Sequence, residues 1–224
     1  MTNNITKIIH ISDVHIRNFK RHEEYRKVFK KLYKFIKENH DEETLIYLAG
    51  DIVHSKTDMT PELVLMVSDF LNSCADIGLT VLIAGNHDAN LNNDSRLDAL
   101  TPIVNAIRHP NLLYWKDSGV YTLGNIGFSV FSVFGPTTDW VLAKDMKHNY
   151  KVCFFHGAIS SAITELDHTI VNEYVKPNVF DGFDMVMAGD IHRTQTIGSY
   201  NLQKMEVDEA ELALYLKQGW EVYE

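Results

Sequence analysis

Five short segments of this sequence contain residues that commonly bind divalent metal ions or transfer protons. They are Asp13-Val14-His15, Gly50-Asp51-Ile52-Val53-His54, Gly85-Asn86-His87-Asp88, His156-Gly157 and Gly189-Asp190-Ile191-His192. Carboxylate, imidazole and amide oxygen are ligands that suit manganese, iron or zinc, whereas thiolate ligands would select softer ions. A single segment of this kind could be a turn or a helix cap. Five in one chain favour a metal site over coincidence.

Each of the five segments follows a short apolar run that is typical of a buried β-strand. The runs cover residues 7–11, 44–48, 80–84, 150–155 and 185–188. In open α/β sheets, ligands bind beyond the carboxyl ends of the strands, so residues far apart in sequence can converge in one crevice. The sequence therefore predicts one shared site at the ends of these strands.

Helical patterns separate the first strands and define the expected fold. They cover residues 23–38 and Pro61–Ile77, with Thr60 as the expected N-cap of the second helix. Two further strands are predicted over residues 120–123 and 127–134. Alternating strands and helices imply a mostly parallel sheet covered on both faces. We predict a four-layer α/β fold, with two mixed β-sheets packed face to face and helices outside.

The bulk composition limits the class of protein. The chain has 224 residues, 45% of them hydrophobic, so we expect one domain over residues 1–200, followed by an atypical helix-strand tail over 201–224. In that tail, residues 209–216 have a helical pattern and 220–223 a strand pattern. No stretch approaches the roughly 20 apolar residues that cross a bilayer, and no signal region follows Met1. We therefore expect a soluble, cytoplasmic protein with no membrane partner.

Positive charge is concentrated near the amino terminus. The net charge of −9 argues against binding a nucleic acid through overall charge. However, residues 17–37 hold nine of the 21 Lys and Arg residues and only two acidic residues, a local surplus of seven. This segment could face a polyanion, or it could be the solvated face of an amphipathic helix. Both interpretations stay open at this point.

The five metal-binding segments resemble the signature of the calcineurin-like metallophosphoesterases over residues 7–195. Within that superfamily, a shorter stretch resembles the nuclease subunit of the bacterial SbcCD complex, which repairs DNA double-strand breaks, and its phage-encoded relatives. That stretch runs from Gly85 through Asn90, Arg96-Leu97-Asp98-Ala99-Leu100 and Pro102-Ile103-Val104. The resemblance implies two divalent ions, with manganese as the first candidate and magnesium, iron or zinc as others. It also implies a DNA substrate, an SMC-like coiled-coil ATPase partner and a homodimer.

The resemblance assigns a role to individual residues. Seven would bind the two ions: Asp13, His15 and His192 the first, Asn86, His156 and Asp190 the second, and Asp51 both. His87 would contact the phosphate and either stabilise the transition state or act as a general acid. Losing one such electrostatic contact typically costs about 10²- to 10³-fold in rate.

Other candidate residues have two interpretations each. Asp88 could orient the imidazole of His87, or it could cap the backbone after the turn. His54 would help to place the DNA strand for exonuclease cutting, or it could be a polar residue at the start of a loop. Three basic residues are candidates for DNA contact: Arg17, Lys20 and Arg21. We expect Trp115 and Trp140 to be packing residues, although an aromatic near the crevice could stack on a base.

Two features depart from the pattern of the family. Asp190 stands where many relatives have the first histidine of Gly-His-x-His, and its added negative charge predicts a preference for a harder ion than zinc. The relatives also continue past this motif with a DNA-contacting capping region. We expect that capping domain to be absent here.

Three functions are compatible with the sequence. The first is a metal-dependent exonuclease or endonuclease acting on DNA in double-strand-break repair or recombination. The second is a phosphodiesterase or phosphatase acting on a small nucleotide or a phosphoprotein, which would use the same metal centre. The third is a non-catalytic scaffold with the phosphoesterase fold, although a decayed site would be expected to have lost several ligands.

Overall fold

The computed structural model describes residues 4–93, 96–164, 166–171, 175–192, 195–197, 200–202, 214–215 and 221–222. Its α-helices are α1 (His22–Asn39), α2 (Pro61–Ile77) and α3 (Leu100–Ile107). The first eight strands are β1 (Lys7–Ile11), β2 (Thr44–Ala49), β3 (Thr80–Ile83), β4 (Leu112–Tyr114), β5 (Gly119–Leu123), β6 (Ile126–Phe131), β7 (Tyr150–His156) and β8 (Met185–Gly189). Short strands follow at β9 (Gln195–Ile197), β10 (Tyr200–Leu202), β11 (Leu214–Tyr215) and β12 (Glu221–Val222).

The first sheet has the strand order β1-β2-β3-β4, and every neighbouring pair is parallel. Every residue of β2 is buried, because both faces of this strand are covered. Ile46 and Leu48 face the helices, whereas Leu45, Tyr47 and Ala49 face the second sheet. The carboxyl ends of β1, β2 and β3 therefore lie side by side at one edge.

The helices that cover the first sheet form for reasons visible in their sequences. At the start of α2, the Thr60 hydroxyl accepts a hydrogen bond from the Leu63 amide at 3.4 Å, and Pro61 occupies the first turn. The helix α1 buries one stripe against the sheet, formed by Tyr25, Val28, Phe29, Leu32 and Ile36. Each large apolar side chain buried in this way contributes about 1.5–3 kcal/mol.

The second sheet has the order β5-β6-β7-β8, with β5 antiparallel to β6 and the other pairs parallel. Its inner face, including Phe128 and Phe154, packs against the first sheet, and Phe154 stacks on Tyr47 at 3.5 Å between ring centroids. Its outer face, including Phe131 and Phe155, packs against loops and the 3-10 turn Pro177–Phe180. The predicted α/β fold with two packed sheets is confirmed.

Some elements were not predicted from the sequence. These are α3 and β4, which complete the first sheet and its cover, and the short strands β9 and β10. Of residues 209–216, for which a helix was predicted, only Leu214 and Tyr215 are described, and they form β11, antiparallel to β12. The rest of that segment lies outside the described residues. Among the helices that are described, none is long and apolar enough to span a membrane.

Candidate metal centre

The polar segments that follow five strands meet in one crevice, as the sequence predicts. Their side chains form three clusters, and within each the possible ligand atoms lie within 4.8 Å of one another. The first is Asp13, His15 and His192, the second is Asp13, Asp51, His156 and Asp190, and the third is His15, His54 and His87. The two sheets are joined here directly, because Nδ1 of His156 donates a hydrogen bond to the carbonyl of Ala49 at 2.6 Å.

Asp13 belongs to the first two of these clusters, and Asp51, a member of the second, also approaches His15 of the first. Oδ2 of Asp51 is 3.6 Å from Nε2 of His15 and 3.3 Å from Nε2 of His156. On one side, Oδ1 of Asp13 is 3.5 Å from Nε2 of His192. On the other side, Oδ1 of Asn86 is 3.1 Å from Nε2 of His156. The geometry thus gives Asp51 the position of a residue that two ions could share.

The donor atoms fit divalent cations. Oδ1 of Asp13 and Oδ2 of Asp51 are buried, and neither has a hydrogen-bond partner in the described part of the chain. Two ligands bound to one ion at about 2.1 Å lie roughly 3.0–3.5 Å apart, depending on the coordination geometry. The spacings between Asp51 and its two histidine neighbours are close to this range. Buried oxygens that face imidazole nitrogens at such distances are suited to holding a cation.

The electrostatics of the crevice agree with this arrangement. Burial lowers the pKa of His15 to about 4, which keeps the imidazole neutral and its lone pair available. Burial would also lower the pKa of His156, but the adjoining carboxylate of Asp51, 3.3 Å away, outweighs it and raises that pKa to about 10. A protonated His156 thus supplies positive charge among the carboxylates. A metal ion bound there would displace that proton and supply the positive charge instead.

Four of the predicted ligands have a backbone conformation that non-glycine residues seldom adopt. Their φ angles are 56° at Asp13, 47° at His15, 51° at Asp51 and 105° at Asp190. Such conformations cost on the order of 1–3 kcal/mol each and cluster at functional sites. At His15 the backbone is held on both sides: its amide donates to the Asp51 carbonyl at 2.8 Å, and its carbonyl accepts from the Tyr25 hydroxyl at 2.7 Å.

Two glycines allow the strand ends to approach one another. A Cβ atom added to Gly85 would lie 2.1 Å from Oδ1 of Asp51. A Cβ atom added to Gly189 would lie 2.4 Å from Nδ1 of His156. The ligands Asp51 and His156 therefore occupy space that any side chain at these positions would take.

Asp88 caps the backbone, the second of the two roles considered from the sequence. Its Oδ1 accepts from the Val53 amide at 3.0 Å, and its Oδ2 accepts from the amides of Gly85 at 2.9 Å and Ile52 at 3.3 Å. The expectation that Asp88 orients His87 is wrong, because its oxygens are taken up by these amides. Asp88 is fully buried and ties the loop after β2 to the loop after β3.

His87 is oriented by a backbone carbonyl instead. Its Nδ1 is 2.7 Å from the carbonyl of His54, and its amide donates to Oδ1 of Asp51 at 2.8 Å. The rings of His15, His54 and His87 adjoin one another, with possible ligand atoms within 4.8 Å. The two candidate catalytic histidines therefore lie beside the first metal-binding cluster.

The three candidate DNA-binding residues lie in residues 16–22, a segment that we name the rim loop. Ile16 bridges to Val53, and the His54 amide donates to the Ile16 carbonyl at 3.0 Å, so this loop borders the crevice. Arg17 is half-buried, Lys20 is exposed, and Arg21 forms an ion pair with Glu24. The lysines of α1 lie opposite its buried stripe and are exposed, as on a solvated helix face.

Several residues near the site were missed by sequence reasoning. The Lys56 ammonium donates to the carbonyl of Asn86 at 2.9 Å, and the Ser12 hydroxyl donates to Oδ2 of Asp13. Neither residue has a spacing that would mark it. Asp98 accepts bonds from the Leu100 amide at 2.9 Å and from Lys116 at 2.8 Å, so it stabilises the start of α3.

The two tryptophans considered above are packing residues. Trp115 is buried and stacks on Tyr121 at 4.5 Å between ring centroids. Trp140 stacks on Phe131, also at 4.5 Å. The two cysteines, Cys74 and Cys153, are buried thiols whose pKa burial raises.

The fold and the clustered ligands define a metal-dependent hydrolase, and comparison with known proteins gives its family. The chain belongs to the calcineurin-like phosphoesterases, because the family model "Calcineurin-like phosphoesterase" matches residues 6–194. It is 41% identical over 201 residues to "Uncharacterized protein R555" of Acanthamoeba polyphaga mimivirus. That match covers 85% of this chain and 15% of the relative, so the chain spans about 15% of the length of the mimivirus protein.

Among solved structures, the chain is similar to the crystal structure of Pseudomonas putida nuclease MPE. The two have a TM-score of 0.38 and 16% sequence identity, and the match covers 73% of this chain and 66% of that one.

Proposed function

We propose that this phosphoesterase is a nuclease that hydrolyses phosphodiester bonds of DNA with two divalent ions, manganese being the first candidate. The observation that carries the proposal is the position of the basic rim loop directly beside the clustered ligands. Its Ile16 is bonded to the segment that contains His54. A polyanion bound along this loop would place a phosphate over the crevice.

The ligands would divide between two ions as the resemblance implies. Asp13, His15 and His192 would hold one ion, Asn86, His156 and Asp190 the other, and Asp51 both. Bound there, the ions would activate a water molecule and stabilise the charge that develops on the phosphate. The carboxylate of Asp190 adds negative charge to the second set, which favours manganese or magnesium over zinc.

His87 would either donate a proton to the leaving oxygen or stabilise the negative charge that develops on the phosphate. The carbonyl of His54 can only accept, so Nδ1 of His87 must carry the hydrogen in their 2.7 Å contact. This fixes the tautomer and leaves Nε2 as the ring atom that can meet a phosphate or leaving oxygen. As an imidazolium, the ring would donate a hydrogen bond from Nε2 and stabilise the transition state.

The assignment of DNA as substrate depends on local rather than overall charge. The chain carries a net charge of −9, so attraction to a polyanion must come from a patch. Arg17 and Lys20 supply positive charge in the rim loop. We extend the proposal to a coiled-coil ATPase partner, a homodimer and a role in the cytoplasm in double-strand-break repair or recombination. These extensions rest on the resemblance over residues 85–104.

The proposal is tested by incubating the purified chain with linear duplex and single-stranded DNA in manganese, magnesium, zinc or EDTA. We expect manganese-dependent cutting that falls about 10²- to 10³-fold in His87→Ala. His109→Ala is the matched control, because His109 precedes β4 at the opposite edge of the first sheet and bonds Asp76. Circular dichroism would establish that the wild type and both variants are folded.

A small phosphodiester, bis(p-nitrophenyl) phosphate, separates the alternatives. Its hydrolysis without any cutting of DNA would contradict the nuclease proposal and favour a small-nucleotide or phosphoprotein substrate. Hydrolysis of neither substrate by the folded chain would favour the non-catalytic scaffold. Cutting of DNA that His87→Ala leaves unchanged would contradict the role of this histidine.

A further inference from the structure

We propose that Phe19 is a stacking platform for an unpaired base of the DNA strand that enters the crevice. The inference rests on the proposed nuclease function and goes further by naming the part of the substrate that the rim loop recognises. Such a platform would favour single strands, frayed ends or gaps over intact duplex, because a paired and stacked base offers no free face to an aromatic ring.

The side chain of Phe19 is exposed to solvent and does not contribute to the hydrophobic core. Its relative exposure is 68%, whereas Trp115 and Trp140 pack against other rings inside the molecule. Exposed single hydrophobic residues are common and need no explanation by themselves. The inference therefore depends on how this ring is held and on what surrounds it.

The rim loop holds Phe19 from both sides. Before it, the Asn18 amide group donates to Asp58 at 2.8 Å and accepts from the Thr60 hydroxyl at 2.6 Å. Around it, Nε2 of His22 donates to the carbonyl of Arg17 at 2.8 Å. These bonds fix the loop to the start of α2 and to its own end. A loop whose backbone is already fixed loses little freedom when a base stacks on its side chain, which favours binding.

The backbone of Phe19 is in the left-handed region, with φ at 53°. This conformation is a genuine outlier for a bulky side chain, and glycine or asparagine would adopt it more easily. A phenylalanine at this position is thus strained, and its ring is not buried in return. Strain of this kind, when the surroundings impose it, points to a function for the side chain.

The residue after Phe19 supplies the positive charge that a binding site for single-stranded DNA needs beside its aromatic ring. Lys20 is exposed and forms no ion pair or hydrogen bond with any residue that the structure describes. Its charge is free to meet a backbone phosphate while the ring meets the adjoining base. Combining a basic track with aromatic rings is how proteins bind single strands without reading their sequence.

The inference is tested by measuring binding of fluorescent oligonucleotides by anisotropy, in manganese and in a His87→Ala background that slows cutting. We expect Phe19→Ala to weaken binding of a single-stranded oligonucleotide about 5- to 150-fold, the range that one stacked base provides. Phe19→Trp should restore it. Tyr150→Ala is the matched control, since Tyr150 is 57% exposed and begins β7, the strand whose opposite end is His156.

An oligonucleotide of the same length without bases distinguishes stacking from other effects. Phe19→Ala should leave its binding unchanged, because the phosphates remain and only the bases are gone. An equal loss on both oligonucleotides, or a loss on neither, would overturn the inference. So would failure of Phe19→Trp to restore binding.

The failure of the inference is distinct from that of the proposed function. Cutting of DNA that does not depend on Phe19 would overturn the inference alone. A chain that hydrolyses bis(p-nitrophenyl) phosphate but neither binds nor cuts DNA would overturn both.

Discussion

The floor of the crevice and its rim loop are built in opposite ways. On the floor, Asp51, Asp88 and His156 are buried, and each is bonded to backbone atoms of a neighbouring segment. In the rim loop, Phe19 and Lys20 point into solvent. The floor must fix atoms to within a fraction of an ångström, whereas the rim has only to present charge and an apolar face.

This difference predicts how each region responds to substitution. A floor residue shares its space and its bonds with ligands, so one change should disturb several groups together. A rim residue acts through exposed groups, so its change should affect the binding of long substrates and leave the chemistry intact. Three substitutions test this contrast.

The largest effect is expected for Gly85→Ala. The new methyl group would collide with Oδ1 of Asp51 and with the Asp51 amide, which a Cβ would approach to 2.1 and 2.5 Å. A displacement of about 1 Å at a reacting centre can cost about 10²-fold in rate, and Asp51 is the proposed ligand of both ions. Titration calorimetry with manganese should therefore show weakened binding, together with lost hydrolysis of bis(p-nitrophenyl) phosphate.

Gly119→Ala is the control for Gly85→Ala. A methyl group at Gly119 meets nothing within 4 Å, although its φ of 155° carries a backbone cost. Manganese binding should survive this change. If Gly85→Ala also bound manganese as tightly as the wild type, the site would tolerate a displacement of Asp51.

A smaller effect on the centre, with a measurable loss of stability, is expected for Asp88→Asn. The asparagine would turn an NH₂ group toward at least one of the three amides that Asp88 now accepts from. Leaving a buried donor without a partner costs about 1–3 kcal/mol. Urea unfolding should report this loss, and turnover of the small phosphodiester should fall because both adjoining loops move.

Asp69→Asn provides the comparison for Asp88→Asn, since Asp69 is exposed on α2. It should leave the urea midpoint and the turnover unchanged. If Asp88→Asn behaved in the same way, the two loops would have to be held by other contacts.

The smallest effect is expected for Lys20→Ala in the rim loop. Removing one phosphate contact should lower the salt dependence of DNA binding by about one unit of slope. Hydrolysis of the small phosphodiester should not change. Lys144→Ala is the control, because Lys144 follows Ala143, whose carbonyl accepts from Lys151 near the start of β7, and His156 lies at the other end of that strand. An equal change of this slope in both variants would show that the rim loop is not part of the DNA-binding surface.

The floor could be predicted from the sequence much better than the rim. Buried strands that are followed by Asp13 or Asp51, or that end at His156, carry a strong signal, since the apolar run predicts the strand and the polar residues after it predict the site. The helix α2 was also predicted with both ends, because Thr60 and Pro61 mark its start. These features depend on local sequence.

Features that depend on distant contacts were not predictable. Asp88 follows a turn where a cap and a catalytic role look alike, and only its bonds to Ile52 and Val53 decide between them. The left-handed conformation of Phe19 has no sequence signal, because phenylalanine seldom adopts it. The elements α3 and β4 are short, and their patterns are too brief to stand out.

The hydrogen bond from the Asp190 amide to Oδ2 of Asp13, at 3.4 Å, joins residues 177 positions apart in the chain. Contacts of such separation must overcome a large loss of chain entropy, and they form once nearer contacts are in place. The ligand set is therefore complete only when β1 and β8 have both reached their final positions. Hydrolysis by this centre would thus be a sensitive indicator that folding has run to completion, and a partly folded chain would be inert toward the cell's phosphodiesters.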